Sequence, residues 1–315
     1  ARPLLLAAAD DDGLLLALPV VQARRVAKVP VPALRGWDHD YAFLGAPLVA
    51  PGRAEQAWTA ALRDLRTRTP VLVLPDLPAD GPAAAGLDAA VGHLGLVSRD
   101  VSSHERAVVR RRPRPDYLEG RLRGAHLKNL RRLRRVLART VGADVVTVDR
   151  SGDPEALEAF LALEASGWKG RAGTAMASRP GHADLLRAVL DDDPTRTSVL
   201  CLQAGGRVLA AQVGLRAGRT LSCFKIAYDE AFAACSPGLL LEVDALTAFH
   251  DDPDLDVMDS CAVAGHEMAE RLFPDRLRLR TVAVGLTPLG RAAVAAVPAA
   301  ERVWSTARRS RTVTP

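Results

Sequence analysis

Along the first hundred residues the apolar positions change period several times. The runs PLLLAA (residues 3–8) and LLLALPVVQA (14–23), joined by the turn DDDG, read as a pair of strands. AFLGAPL (42–48) reads as a further strand entering a loop. AEQAWTAALRDLRTR (54–68) switches to helical spacing through Ala57, Ala61, Leu62 and Leu65. PVLVLPDL (70–77) has the form of a short buried strand, PAAAGLDAAVGHLG (82–95) of a helix opened by Pro82, and AVVRRR (107–112) of a strand.

A longer helix is predicted over residues 117–139. Asp116 and Glu119 supply a capping-box pattern, Gly142 a C-terminal stop, and Leu118, Leu122, Leu130, Leu133 and Leu137 an apolar stripe. DVVTVD is a strand, and Asp153-Pro154 opens a helix that Gly167 ends. TSVLCLQ, VLAAQVGLR and LSCFKIA then form a three-strand meander through the turns AGGR and AGRT. SPGLLLEVDALTAF is a helix, LDVMDS a strand, HEMAERLF a short helix and RLRLRTVAV a strand. An Ala-rich helical tail follows from Thr287, with a frayed SRTVTP end.

The strand–helix order of the first half thus recurs in the second without visible sequence identity. The expected fold class is α/β (α+β), with two tandem domains, each a mixed, mostly antiparallel sheet flanked by helices. The expected boundaries are 1–115 for a degenerate N-terminal copy, 116–142 for a basic connecting helix and 143–315 for the C-terminal domain.

Composition narrows the class. The 315 residues are 48% hydrophobic and 25% charged, an ordinary globular balance, and no apolar run reaches membrane-span length. LLLAAA is cut short by Asp10, Asp11 and Asp12 and makes a poor signal peptide. Cys201, Cys223, Cys235 and Cys261 are scattered, with no C-x-x-C and no histidine at metal spacing. They read as small buried residues of a reduced, cytoplasmic protein without zinc.

The net charge of +5 is unevenly spread. RRRPRP and RLRGAHLKNLRRLRR form a basic stripe between His104 and Arg139. It suits nucleic acid or phosphate, although Tyr117 is its only aromatic residue and a solvated helix face is the plainer reading. Of 42 basic residues only Lys28, Lys128, Lys169 and Lys225 are lysine, so a lysine here marks a place where a compact ammonium is wanted.

Four places carry candidate chemistry. The helix ending at Gly167 places Glu164 on the same face as Leu157, Phe160 and Leu161, which predicts a partly buried carboxylate. The stretch LEASGWKGRAGTAM sets Trp168 and Lys169 among glycines just after it, with Trp168 expected to pack as an anchor and Lys169 to face a site. Ser236-Pro237-Gly238 opens a helix whose free N–H groups suit an anion or a carbonyl. Asp259 ends a strand and His266 opens the next helix, positions that are more often structural when such residues stand alone. No G-x-S-x-G, H-E-x-x-H, P-loop or G-x-G-x-x-G pattern is present.

A meander ending in Lys225-Ile-Ala-Tyr228-Asp229, then a loop and Ser236-Pro237-Gly238-Leu-Leu240, resembles the GNAT acyltransferase superfamily. Glu164-Ala-Ser-Gly-Trp168-Lys169-Gly170, Asp259-Ser-Cys, His266-Glu-Met and Pro274-Asp275-Arg276 extend the resemblance to the tandem branch. That branch holds CelD-type acetyltransferases of cellulose and exopolysaccharide biosynthesis and the Fem-type peptidoglycan ligases.

The resemblance implies splayed central strands and an acyl thioester, acetyl-CoA or another acyl-CoA, lying along LSCFKIA. Phe224, Ile226 and Ala227 would hold its arm, with Ser236, Gly238 and Leu239 at its phosphates. Glu164, Asp259 and His266 become candidate bases, Lys225 and Tyr228 candidates for the oxyanion or leaving thiolate, and Trp168 and Lys169 substrate contacts. The acceptor is then an amine or hydroxyl of a sugar, polysaccharide or envelope precursor.

One departure stands out. The usual pyrophosphate loop R/Q-x-x-G-x-G/A is replaced by Ala233-Ala-Cys-Ser236-Pro237-Gly238. Aminoacyl-tRNA is the donor in the Fem-type ligases and would give the basic stripe a partner. A catalytically silent scaffold is the third reading.

Overall fold

The computed structural model describes residues 2–297. In chain order the elements begin with β1 (Leu4–Asp10), β2 (Gly13–Ala23), β3 (Ala33–Gly36) and β4 (Leu48–Val49). Next come α1 (Ala54–Leu65), β5 (Val71–Pro78), α2 (Pro82–His93), β6 (Val97–Arg110) and α3 (Gly124–Val141). Then follow β7 (Val146–Asp149), α4 (Pro154–Ser166), the single turn α5 (Trp168–Arg171) and α6 (His182–Asp192). The meander is β8 (Thr197–Ala204), β9 (Arg207–Ala217) and β10 (Thr220–Tyr228). After α7 (Pro237–Asp251) come β11 (Val257–Asp259), α8 (Glu267–Leu272), β12 (Asp275–Gly285) and α9 (Pro288–Ala296). The expected frayed SRTVTP end lies outside the described residues.

Most predicted elements form, and the exceptions have local causes. ALRG, too short to stand out as a run, forms β3 because β2 and β5 flank it on both sides. AFLGAPL is not a strand; only Leu48 and Val49 pair, with β2. The helix expected from residue 117 starts at Gly124 instead. Gly120 stands at φ +70°, a turn conformation. Arg121 meanwhile turns inward to donate to the carbonyls of Glu270 and Phe273.

Among the described residues, contacts divide the chain into two compact units, residues 2–105 with 277–297, and 106–276. In the first unit the strand order is β1-β2-β3-β5-β12. β3 runs parallel to β5 and the other pairs are antiparallel. The last strand, expected with the second half, packs here because Leu279–Gly285 pair with Val71–Pro78. Trp58 on α1 is fully buried, and its Nε1 donates to Ala83 O on α2 at 2.8 Å.

In the second unit the order is β6-β11-β10-β9-β8-β7, mixed and largely antiparallel. α4 and α7 take opposite faces of it, because β10 alternates: Lys225 reaches α4, while Gln212, paired with Ile226, reaches Glu242 on α7. Leu240, Leu241, Ala245 and Phe249 of α7 share a core with Leu130 and Leu137 of α3.

Glu242 is buried, with Gln212 Nε2 donating to its Oε2 at 2.7 Å. Burial pushes its carboxyl up to about 7, against the partial opposition of the Gln212 hydrogen bond. The unfolded chain ionises Glu242 near pH 4.5, so the proton held in the fold stabilises it fully below that value. The contribution is lost as pH rises to about 7. Glu242→Gln is therefore expected to leave urea stability at pH 5 little changed. At pH 8 it should raise stability by up to roughly 3 kcal/mol, flattening the pH profile. A second expectation concerns the first unit: Trp58→Ala should cost about 3–5 kcal/mol in its denaturant-unfolding transition.

Candidate functional site

β10 carries the key irregularity. Its register with β9 shifts between Cys223 and Lys225, a bulge that increases local twist. On its other side β11 pairs only with Thr220–Ser222 and then ends at Asp259. Cys261, at φ +52°, turns the chain away. The two strands therefore part beyond Ser222. Asp229 N donates to Leu209 O, which fixes the bonded pairs with β9 and turns the N–H and C=O of Ile226 toward the open side.

α4 delivers a carboxylate to that opening. Asp153 caps it by accepting from Glu155 N at 2.8 Å, and Ala156, Leu157, Phe160 and Leu161 bury its inner face. Glu164 shares this face and is 1% exposed. Lys225 Nζ donates to its Oε1 at 2.9 Å, Lys169 Nζ lies 3.6 Å from the same oxygen, and Met176 N donates to Oε2 at 2.8 Å. Lys169 Nζ also donates to Ile226 O at 2.8 Å, bonding the carbonyl that the open edge presents. Two of the four lysines of the chain thus converge on one buried carboxylate. A carboxylate so deep needs such partners, since an unpaired buried charge is strongly destabilising.

Desolvation lowers the pKa of Lys169 and the neighbouring Lys225 ammonium lowers it further, while Glu164 opposes both. The turn that carries Lys169 is held from two sides. Gly170 lies so close to α4 that a Cβ there would stand 1.7 Å from Ala165 O, which accounts for the glycine. Glu230 accepts from Trp168 N at 2.6 Å and from Arg171 at 2.8 Å. Trp168 was expected to be the packed anchor, but it is 54% exposed, with Lys169 Nζ 5.9 Å from its ring centroid. The anchors are Gly170 and Glu230.

The remaining candidates divide. Tyr228 is half-buried, with its ring against Gly238, where a Cβ would stand 3.3 Å from Cδ1. Phe224 and Ala227 are buried along β10, and Leu239 is half-buried in the first turn of α7. Ser236 occupies the N-cap position of α7 in a left-handed conformation at φ +50°, without a side-chain capping hydrogen bond. Pro237 removes one N–H from that helix start, and no basic residue lies between Asp229 and Gly238. Asp259 is buried against Arg106 at 3.2 Å and accepts from Cys261 N at 2.8 Å. It faces Ser222, three residues before Lys225. His266 is exposed and caps α8, accepting from Ala269 N.

Glu164, Lys169, Lys225 and Ile226 therefore come together, while Asp259 and His266 have partners of their own. Glu230 and the Met176 amide were not foreseen. They lie 62 and 12 residues from their partners, and no local pattern links them. Among the described residues no group of three His, Cys, Asp or Glu side chains stands at metal-binding distance. No helix among them is long and apolar enough to cross a membrane.

Residues 124–273, a little under half of the chain, match the family model described as an acetyltransferase (GNAT) domain. No curated protein matches the chain. Among solved structures it resembles a conserved protein of unknown function from Bacteroides thetaiotaomicron, at 13% identity and TM-score 0.55 over 88% of this chain and 84% of that one. It also resembles the C-terminal domain (DUF2156) of a protein named as a lysylphosphatidylglycerol synthetase, from Agrobacterium fabrum. That likeness has 12% identity and TM-score 0.56, over 92% of this chain and 86% of the other. L-PGS from Bacillus licheniformis aligns at 11% identity and TM-score 0.53, over 93% and 88%.

Lysine NMR tests the centre directly, since only four side chains need assignment. Lys169 is expected to titrate below the ordinary 10.5. Glu164→Gln should lower it further and Lys225→Met should raise it, because those neighbours act with opposite signs.

Proposed function

We propose that this chain is an acyltransferase that moves an aminoacyl group from an aminoacyl-tRNA to an amine or hydroxyl of an envelope precursor. The observation that carries the transfer chemistry is the Lys169–Glu164–Lys225 centre beside the open edge of β10. The choice of donor rests on the α7 start. Ser236-Pro237-Gly238 offers a coenzyme A pyrophosphate less than the usual loop does: a proline replaces an N–H, the Tyr228 ring lies against Gly238, and no basic residue lies in the sequence between Asp229 and Gly238, although Arg207 reaches the loop through Asp229 and Phe232. The resemblance to the C-terminal domain of a protein named as a lysylphosphatidylglycerol synthetase, whose name describes an aminoacylated product, supports transfer of an aminoacyl group.

In this reading the acceptor nucleophile attacks the ester carbonyl, a bond to its nitrogen or oxygen forms, and the ester bond to the ribose oxygen breaks. Lys225 faces the carbonyl oxygen as negative charge develops there. Lys169, whose neutral amine form burial favours, takes the proton of the nucleophile in that form, becomes the ammonium, and returns the proton to the leaving ribose oxygen. Glu164, with both oxygens engaged, is the positioning residue for the two amines.

A second reading, an acetyl-CoA-dependent enzyme of the CelD type acting on a sugar, is favoured by the acetyltransferase family match.

One assay separates the two. The purified chain is given radiolabelled aminoacyl-tRNA or labelled acetyl-CoA, with phosphatidylglycerol vesicles or a peptidoglycan precursor as acceptor. Label is expected to move from aminoacyl-tRNA to an acceptor. Transfer from acetyl-CoA with the aminoacyl-tRNA left intact overturns the first reading in favour of the second, and transfer from neither donor overturns both. Lys225→Met should lower kcat by about 100-fold or more in protein that circular dichroism shows to be folded, with a loss of stability as well, because Glu164 loses its nearer ammonium. Glu164→Gln should shift the acidic limb of the pH–rate profile downward, because Glu164 raises the Lys169 pKa.

A further inference from the structure

We infer that the outer face of α3 is a docking surface for RNA, holding the phosphate backbone of the donor tRNA. The inference rests on the aminoacyl-tRNA reading. Between Gly120 and Ala143 the sequence has eight arginines and lysines and no acid. Two of the eight are spent inside the fold: Arg121 on the carbonyls of Glu270 and Phe273, Arg134 on Asp244 and Val145 O.

Of the other six, Arg123 precedes α3 and five lie on its outer face. Lys128, Arg131, Arg132, Arg135 and Arg139 are all exposed. At helical spacing they fall within a sector of about 100° and run for about 16 Å along the axis. Leu130, Leu133 and Leu137 occupy the opposite face and are buried.

Among the described residues no carboxylate pairs with any of the five. Arg132 bonds Asn129 Oδ1, and Arg135 bonds the Arg131 carbonyl. Like charges three and four residues apart repel, each pair costing about 0.2–0.5 kcal/mol. A polyanion laid along the stripe removes that repulsion and releases its own counterions.

An anionic membrane is the poorer occupant. A helix lying in a membrane surface needs an apolar face free to insert, and the apolar face of α3 is consumed by the core. The stripe has only charge to offer, which suits phosphates read without regard to base.

The test uses the full chain and fluorescently labelled deacylated tRNA, followed by anisotropy at several salt concentrations. The wild-type protein should bind, with log K falling linearly against log salt. The variant carrying Lys128→Gln, Arg131→Gln, Arg132→Gln, Arg135→Gln and Arg139→Gln should bind about 100-fold more weakly at 0.1 M salt, with the slope reduced by about 4. Glutamine has nearly the helix propensity of the residues replaced, and an unchanged thermal melt checks the fold. Arg131→Lys, Arg132→Lys, Arg135→Lys and Arg139→Lys together should keep both affinity and slope. Arg63→Gln with Arg66→Gln, two exposed charges elsewhere, should change neither.

No tRNA binding by the wild-type chain, or equal binding by the five-site variant, overturns the inference. So does capture of phosphatidylglycerol vesicles in place of RNA. Failure of the functional reading looks different: tRNA binds through the stripe and no aminoacyl group is transferred. Conversely, transfer with an unchanged donor KM in the five-site variant sinks the docking surface alone.

Discussion

A single carboxylate, buried to within 1% of its surface, organises the candidate site. Glu164 draws together a helix, the turn after it, the bulged central strand and the backbone at Met176. Neither lysine would sit half-buried so close to the other without a negative charge between them. The centre also needs local precision, because Lys169 reaches both Glu164 and Ile226 O from a single helical turn. That turn can sit against α4 only because residue 170 lacks a side chain.

The bulge on β10 and the shortness of β11 provide the other half of the arrangement. A continuous neighbour would have bonded the Ile226 carbonyl and closed the sheet at this point. Instead the strands part after Ser222, and an amine bonds that carbonyl. Side chains on the two faces of β10 then serve different purposes. One face carries the charged centre, and the other packs Tyr228 against the start of α7 and aligns Gln212 with the buried Glu242.

Much of this was legible in the sequence. The meander, α4 with its cap and the α7 start follow from periodicity and capping residues, while the grouping of Glu164, Lys169 and Lys225 at one site comes from the family resemblance. The misread places are those where tertiary contacts override local pattern. The run around Tyr117 has a good capping box, yet Gly120 and the inward pull on Arg121 hold it in turns. ALRG has no strand signature of its own and is ordered by its neighbours. Trp168 looked like an anchor because a tryptophan is costly to expose, but a glycine and a distant glutamate hold the loop. Asp259 and His266 were legible as polar residues at element ends, while their partners, Arg106 and the α8 backbone, were not.

The return of β12 to the first unit has a consequence for the order of assembly. β5 is apolar along almost its whole length and receives one of its two partners only when residues 279–285 have been made. At about 5–20 residues per second, roughly 10–40 s of synthesis separate the two strands. In that interval the entire second unit emerges and can fold, while one edge of β5 waits unpaired and prone to pairing with other chains. Of the two units, the one whose strands begin to emerge earlier is therefore sealed later, and its exposed strand is where a nascent chain most needs protection.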